Sequence, residues 1–306
     1  MKRPAPPLRT AIIPAAGFGT RFLPASKAVP KEMIPLVDKP VIQYVVEEAV
    51  AAGLTKIGII VSEGKEAIQN HFQSFPALEE RLEKTGKKEL LAGIRSLSTM
   101  AEISFIFQKE LKGLGHAVLQ AKEFVGNEPF AVLLGDTVLR SSGEKSVAGQ
   151  LKEVYEKTSS SVVASEHVPK EKISKYGIIE AKNIAGNPDQ IREVLSLVEK
   201  PSPEEAPSDL AIASRYLFTP GIFEELENTS PGKGGEIQLT DAMKRLLEKE
   251  KIYTRIIAGK RYDLGSKTGF LKSTFEFALA REEFREEMLQ FFRGQLSQWE
   301  NKNENH

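Results

Sequence analysis

Three cations, Arg21, Lys27 and Lys31, follow an apolar run, Ile12-Ile13, and a glycine-bearing turn, Pro14-Ala15-Ala16-Gly17-Phe18-Gly19-Thr20. Such a turn leaves backbone N–H groups unpaired and aimed outward. An arginine beside it can hold phosphate oxygens in a fork, and lysines add point charges. The chemistry this set serves is the capture of a strongly anionic ligand, and a nucleoside triphosphate is the expected one. Pro24, Pro30 and Pro35 stiffen the stretch and leave no room for an ordinary helix. Gly17 and Gly19 are expected where larger side chains would not fit.

Two other glycine signatures would imply different chemistry. The dinucleotide fingerprint needs a third glycine, and Phe22 holds that place. The phosphate loop of Walker type needs Gly-Lys-Ser/Thr opening a helix, and no such tripeptide follows this strand.

Further along, the nearly unbroken apolar run Pro129–Gly135 reads as a strand buried on both faces, with Asp136 at its carboxyl end. Open α/β sheets bind ligands at that end. Gln108 closes another strand-like run and can offer a donor and an acceptor to the edge of a pyrimidine. His116 follows the glycine turn Gly113-Leu114-Gly115 and is expected to open a helix, for packing or for catalysis.

The elements that must carry these groups alternate between short β-branched runs and longer helical stretches, the pattern of βα units on a largely parallel sheet. Strands are expected over 10–15, 56–61 and 102–108. Asp38 is expected to cap a helix with Pro40 in its first turn and Val41, Val45, Ala49 and Ala52 on one face. From about Ser160 strand-like runs at 161–165, 177–181, 191–198 and 211–218 suggest an added β-rich part closing over the first. After Asp263 a helical pair rich in phenylalanine runs from Lys267 to about Arg293, and the chain beyond Gln298 is expected to be disordered. The helical pair either packs back on the domain or meets a second subunit. No internal repeat or low-complexity linker interrupts the chain.

The chain has 306 residues, 41% hydrophobic and 27% charged, enough for a full core. Lys plus Arg number 42 and Asp plus Glu 42, so no global field gathers nucleic acid or an anionic membrane surface. The absence of cysteine excludes disulfides, cysteine-ligated metals and thiol nucleophiles, and leaves oxygen-ligated metals as the expected cofactors. The basic, proline-rich start is followed by an apolar run too brief for a secretory signal, and no run is long enough to span a bilayer. A cytoplasmic protein is expected.

The run Ala15–Lys27 with Pro30-Lys31-Glu32-Met33-Ile34-Pro35-Leu36 resembles the signature of the sugar-1-phosphate nucleotidylyltransferases. Its Lys-Ala-Val-Pro-Lys-Glu-Met form is similar to the bacterial UTP–glucose-1-phosphate uridylyltransferases. The likeness continues, in order, through Asp38–Tyr44, Lys112–Ala117, Leu134-Gly135-Asp136, Val198–Pro201, Gly234–Asp241 and Tyr262–Gly265. It implies a Rossmann-like three-layer α/β/α nucleotidyltransferase fold with a mixed central sheet, a β-rich sugar-side insertion and a C-terminal helical segment. The corresponding divisions are a domain over 1–265, with a nucleotide-binding part at 10–160 and a sugar-binding part at 161–265, and a helical segment at 266–306.

The activity implied is transfer of UMP from UTP to glucose 1-phosphate, giving UDP-glucose and pyrophosphate, with Mg²⁺ as cofactor. By the same resemblance Arg21 attends the departing phosphates, Lys31 the reacting ones, and Lys27 the triphosphate. Asp136 and Asp263 hold the metal; many relatives carry a second acidic residue after the first, where this chain has Thr137. Gln108 reads uracil, with help from the backbone of Ala15 and Ala16 and from close approach at Gly113 and Gly115. Glu199 accepts from glucose hydroxyls, Lys200 holds the sugar phosphate, and Gly177 lets the backbone approach the same sugar. Glu236 and Asp241 are expected to cap and brace a helix rather than touch substrate. The assembly expected is a homodimer or higher homo-oligomer. Thymidylyl transfer to the same sugar phosphate is the nearest alternative. A glycosyltransferase would normally show Asp-x-Asp where Asp136-Thr137-Val138 stands. A silent nucleotide-sugar sensor would be expected to have lost Arg21 and Lys31.

Overall fold

The computed structural model describes residues 5–184 and 190–303, so Met1–Pro4 and the last residues of the tail lie outside the description. In chain order come β1 (Thr10–Pro14), three 3₁₀ turns, the short hairpin β2 (Pro35–Leu36) and β3 (Lys39–Pro40), α1 (Val41–Ala51), β4 (Lys56–Val61), α2 (Glu66–Phe72), α3 (Pro76–Lys84), α4 (Lys88–Thr99) and β5 (Glu102–Phe107). Then follow α5 (Gly113–Leu119), α6 (Lys122–Val125), β6 (Phe130–Leu133), β7 (Thr137–Ser141), α7 (Val147–Thr158), β8 (Ser161–His167), β9 (Gly177–Asn183), β10 (Ile191–Glu199) and β11 (Leu210–Phe218). The chain ends with α8 (Ile222–Glu227), α9 (Leu239–Leu246), β12 (Ile252–Ile256), β13 (Gly259–Asp263), α10 (Lys267–Ala280) and α11 (Glu282–Asn303).

Nine strands form one mixed sheet in the order β5-β4-β1-β6-β11-β8-β12-β10-β9. The first four are parallel, and β11 joins β6 antiparallel. The β-rich stretch after Ser160 is therefore the second half of the same sheet, since Tyr216 of β11 lies in register with Val132 of β6. A strand pair buried on both faces joins through its backbone, so a change of texture in the sequence need not mark a break in the sheet.

Side-chain alternation divides the core between the two faces of the sheet. Ile13 packs with Val45, Val46 and Ala49 of α1 and with Leu151 of α7, whereas Ile12 packs with Val118, Phe223, Leu239 and Met243 from α5, α8 and α9. Each fully buried isoleucine contributes about 1.5–3 kcal/mol of transfer free energy. Truncating Ile13, whose side chain is wholly buried, would open a cavity at a cost of about 2–5 kcal/mol.

Two expectations about chain ends are corrected. Asp38 does not cap α1; the cap position is Pro40, with no side-chain hydrogen bond, and Asp38 pairs with Arg281 at the junction of α10 and α11. The long-range guanidinium offers a bidentate partner that a local cap cannot match. The tail beyond Gln298 is helical to Asn303. α10 is tied to the body by Phe277, edge-on to Tyr44 and Tyr262 at 5.2 and 5.0 Å, and by Phe270, which meets Phe22 of the cationic loop at 5.8 Å. α11 leaves Phe291, Phe292, Leu296 and Trp299 exposed.

Candidate active site

β1 stops at Pro14, and the chain then turns across the carboxyl ends of β1 and β6. Ala15 still donates to Ile60 at 2.8 Å, after which three 3₁₀ turns, over Thr20–Phe22, Ala25–Lys27 and Lys31–Met33, carry the cations. Gly19 takes a left-handed φ of 66°, and a Cβ there would lie 3.1 Å from the Lys31 side chain. Gly17 differs from expectation: a Cβ on it would meet nothing within 4 Å, so its bareness leaves the cavity open rather than relieving a clash.

Beneath the loop a buried cation fixes its path. Lys65 donates to the Gly17 carbonyl and to Glu32 at 2.8 Å each, and both side chains are nearly inaccessible. Ser62 adds a bond to the Ala16 carbonyl at 2.7 Å. Burial pushes the Glu32 carboxyl above the usual range, against the pull of Lys65 and Lys31.

A cavity of about 530 Å³ lies between this loop, the end of β6 and the start of α5. It gathers Ala15, Ala16, Gly17, Gly19, Thr20, Lys31, Gln108, Gly113 and Asp136 of the expected residues, together with Glu32 and Glu236. Lys31 forms an ion pair with Asp136. Burial works against both charges, but each partner's field and their shared hydrogen bond outweigh it, so Lys31 is raised and Asp136 lowered. The site thus keeps a charged ammonium at the strand end.

Gln108 is buried and its amide nitrogen lies 2.9 Å from His116 Nδ1. With that nitrogen donating, the amide oxygen stays available for a donor such as an imide N–H. His116 itself lies in α5, which begins earlier, at Gly113, and it reaches the cavity only through Gln108. Gly115 is also outside the cavity. A Cβ there would stand 2.7 Å from the Ile237 carbonyl, so this glycine serves helix packing, while Gly113 keeps its place in the lining.

Three of the remaining residues, Arg21, Lys200 and Asp263, border a second cavity of about 970 Å³ together with Lys172, Lys175, Lys260 and Lys272. Arg21 is exposed and, among the described residues, donates only to the Gly265 carbonyl, at 3.4 Å. Asp263 lies opposite Thr137 in the β7–β13 ribbon and accepts from the Gly265 N–H at 2.9 Å. Backbones adjacent to Asp136 and Asp263 are thereby paired, although the two carboxylates border different cavities. Asp136 stands one residue before β7 and Asp263 ends β13, and two carboxylates are a donor set that suits a hard cation such as Mg²⁺, which takes one or two carboxylates plus substrate phosphates.

Gly177 faces Glu199 across β9 and β10, and a Cβ on it would come within 3.1 Å of the Glu199 carboxylate. Thr240 donates to that carboxylate at 2.7 Å, and Lys200 lies 3.3 Å from it with a left-handed φ of 46°. Lys27 is exposed and borders neither cavity. Glu236 borders the nucleotide-sized cavity rather than capping α9, whose cap position is Gln238 without a side-chain bond. Asp241 is in the first turn of that helix, where burial and Glu199 raise its pKa.

Lys65 and Thr240 had no role in the sequence reading. Their signal was faint, since each acts through a partner distant in the chain.

A glycine loop with a protected ammonium and carboxylate, at the strand ends of a mixed α/β sheet, defines an enzyme that handles nucleoside phosphates. The chain belongs to the nucleotidyl transferase family, whose model matches residues 10–278. It is 50% identical over 293 residues to the UTP–glucose-1-phosphate uridylyltransferase of Bacillus subtilis strain 168, covering 96% of this chain and 99% of the relative. Among solved structures, a UTP-bound UGPase from Acinetobacter baumannii is 36% identical with a TM-score of 0.86, covering 94% of this chain and 99% of the other. A UDP-glucose pyrophosphorylase complexed with UDP-glucose is 41% identical with a TM-score of 0.82, covering 90% and 100% respectively.

Proposed function

We propose that this chain transfers UMP from UTP to α-D-glucose 1-phosphate, releasing pyrophosphate and forming UDP-glucose. The observation that carries the reading is the juxtaposition of Gln108, the Gly17–Thr20 loop and the Lys31–Asp136 pair in one cavity, in a chain half identical to such an enzyme.

A phosphate oxygen of the sugar phosphate attacks the α-phosphorus in line. The bond between the α-phosphorus and the bridging oxygen breaks, and the electron pair leaves with pyrophosphate. The nucleophile is already an anion, so the protein needs to align the partners and offset the growing charge. Gln108 reads the uracil edge, and the backbone of Ala15 and Ala16 flanks it. Loop N–H groups from Gly17 to Thr20 hold phosphate oxygens. Lys31 exchanges Asp136 for the reacting phosphoryl group, and Arg21 neutralises the departing one. Glu199, held by Thr240, accepts from sugar hydroxyls while Lys200 holds the sugar phosphate. Asp136 and Asp263 would hold Mg²⁺, which would supply further charge neutralisation at the phosphates.

Pyrophosphate release over a panel of four NTPs and several sugar 1-phosphates tests the reading. UTP with glucose 1-phosphate is expected to lead the panel. No pyrophosphate from that pair overturns the activity, and a preference for dTTP overturns only the base. Chelation of divalent cations is expected to abolish turnover, and restoration by Mg²⁺ checks the metal. We also propose self-association of two copies through the apolar face of α11, supported by its exposed Phe291, Phe292, Leu296 and Trp299. Gel filtration with and without residues after Lys267 checks it.

A further inference from the structure

The β6–β7 turn that presents Asp136 is gripped from behind by a side chain that never reaches the cavity. Arg215 of β11 is about 1% exposed. A buried guanidinium costs several kcal/mol unless it is paired and its donors are satisfied. Its pair is Glu48 of α1, reached by Nε at 3.1 and 3.0 Å and by one terminal nitrogen at 2.7 Å. The other donors do not go to a second carboxylate. They go to the carbonyls of Thr137 at 2.8 Å, Ser214 at 2.9 Å and Leu134 at 3.5 Å.

Leu134 and Thr137 bracket Gly135-Asp136, so one guanidinium holds the turn on both sides of the carboxylate. The geometry is costly to build. Ser214 takes a left-handed φ of 59° inside a register shift of β11, between Ile212 and Tyr216, and its carbonyl receives the Leu134 N–H at 3.2 Å. Backbone strain of this kind persists only where the surroundings impose it.

Glu48 extends the linkage. It accepts from Ala148 N–H at the start of α7 at 3.1 Å, and its own carbonyl receives the Ser146 hydroxyl at 3.2 Å. α1 is also the first helix after the cationic loop, so the pair connects the element behind Lys31 with the turn that bears Asp136.

We infer that the buried Arg215–Glu48 pair is a positioning element for the reaction, setting where the Asp136 carboxylate stands relative to Lys31. The inference rests on the proposed activity. Lysine in place of Arg215 keeps the charge but has no planar fork to reach Glu48 and both carbonyls together. Arg215→Lys is expected to stay folded and to keep its UTP affinity within about twofold, because the base and loop contacts lie elsewhere. Its kcat is expected to fall about 10- to 100-fold, since a misplaced group loses transition-state alignment first. The Mg²⁺ concentration giving half-maximal rate is expected to rise with it, and Mn²⁺ binding in the absence of sugar phosphate to weaken severalfold.

Glu48→Gln, which keeps the shape but not the charge, should give the same pattern more mildly and serves where the lysine variant does not fold. A folded variant with unchanged kcat and unchanged Mn²⁺ binding overturns the inference, as does equal loss of UTP affinity and kcat. A lower melting temperature with full turnover per folded molecule also overturns it, by showing a structural role alone. An inactive parent enzyme sinks the activity instead, and Mn²⁺ binding then still decides whether the pair sets Asp136.

Discussion

The two cavities share the cationic loop as a wall but are built by opposite means. The smaller one is made of backbone at strand ends and of short or buried side chains: Ala15, Ala16, Gly17, Gly113, Gln108 and the Lys31–Asp136 pair. Two buried ion pairs support it, Lys65–Glu32 under the loop, whose Glu32 also borders the cavity, and Arg215–Glu48 under the Asp136 turn. The larger one is ringed by long cationic side chains. Glu166 is taken by Arg261 and Glu276 by Lys260, each at 2.5 Å. Lys172, Lys175 and Lys272 border the space with no ion-pair partner among the described residues. Preorganised donors act on the reacting centre without rearranging, whereas free lysines attract an anion but must be ordered by it. On the proposed activity, that difference suits the first cavity to the reacting centre and the second to holding phosphate groups.

Substitutions test that division, beginning with those expected to act most strongly. Asp136→Asn should lower kcat by about three orders of magnitude, or some 4 kcal/mol of transition-state stabilisation, with UTP affinity nearly kept. Single-turnover kinetics with direct UTP titration separates the two; a loss confined to binding would erase the contrast. Lys65→Met takes from buried Glu32 its hydrogen-bonded partner, leaving Lys31 at 3.9 Å, and should cost about 3–5 kcal/mol in urea unfolding. A cost below about 1 kcal/mol would mean that the loop is not held from beneath. Arg21→Ala, on the wall between the cavities, should lower turnover about 100-fold with a smaller effect on UTP binding. In the second cavity Lys200→Ala should raise KM for the sugar phosphate about tenfold, near 1.4 kcal/mol. That KM in the parent should also rise with ionic strength as exposed charges are screened.

What was legible in the sequence follows the same division. Strand runs such as Lys56–Val61 and Phe130–Leu133 announced themselves by β-branching or continuous hydrophobicity, and the glycine turn by its composition. Gln108 and Asp136 could be placed because each closes such a run. The supports could not. Nothing near Lys65 signals that its ammonium will meet Gly17, and Arg215 reads as one more charge in a strand until Glu48, 167 positions away, is folded against it. Gly17 and Gly19 look alike in sequence, yet only Gly19 has a positive φ and a neighbour in the way. Asp38 failed as a cap for the same reason, since its partner Arg281 lies 243 residues on.

The smallest effect concerns acidity and sharpens the comparison within the first cavity. Asp136 has a lowered pKa, so its contribution to stability is present above the ordinary carboxylate value of 3.8 and is lost as pH falls through the lowered one. Glu32 has a raised pKa through burial, so its contribution is complete below 4.5 and is lost as pH rises through the raised value. The two carboxylates of one cavity therefore tilt the stability curve in opposite senses. His71, whose pKa burial lowers from 6.5, also loses stability on acidification and overlaps the Glu32 window, so each variant must be compared with the parent. Melting temperature followed from pH 3 to 7, a range chosen to bracket the ordinary carboxylate values of about 4, should show Asp136→Asn flattening the acid limb below 3.8. Glu32→Gln should remove a decline that sets in above 4.5. Equal slopes for both variants would mean that the loop-side and strand-side carboxylates share one environment, and the contrast between what is held from beneath and what is exposed to ligand would have to be drawn elsewhere.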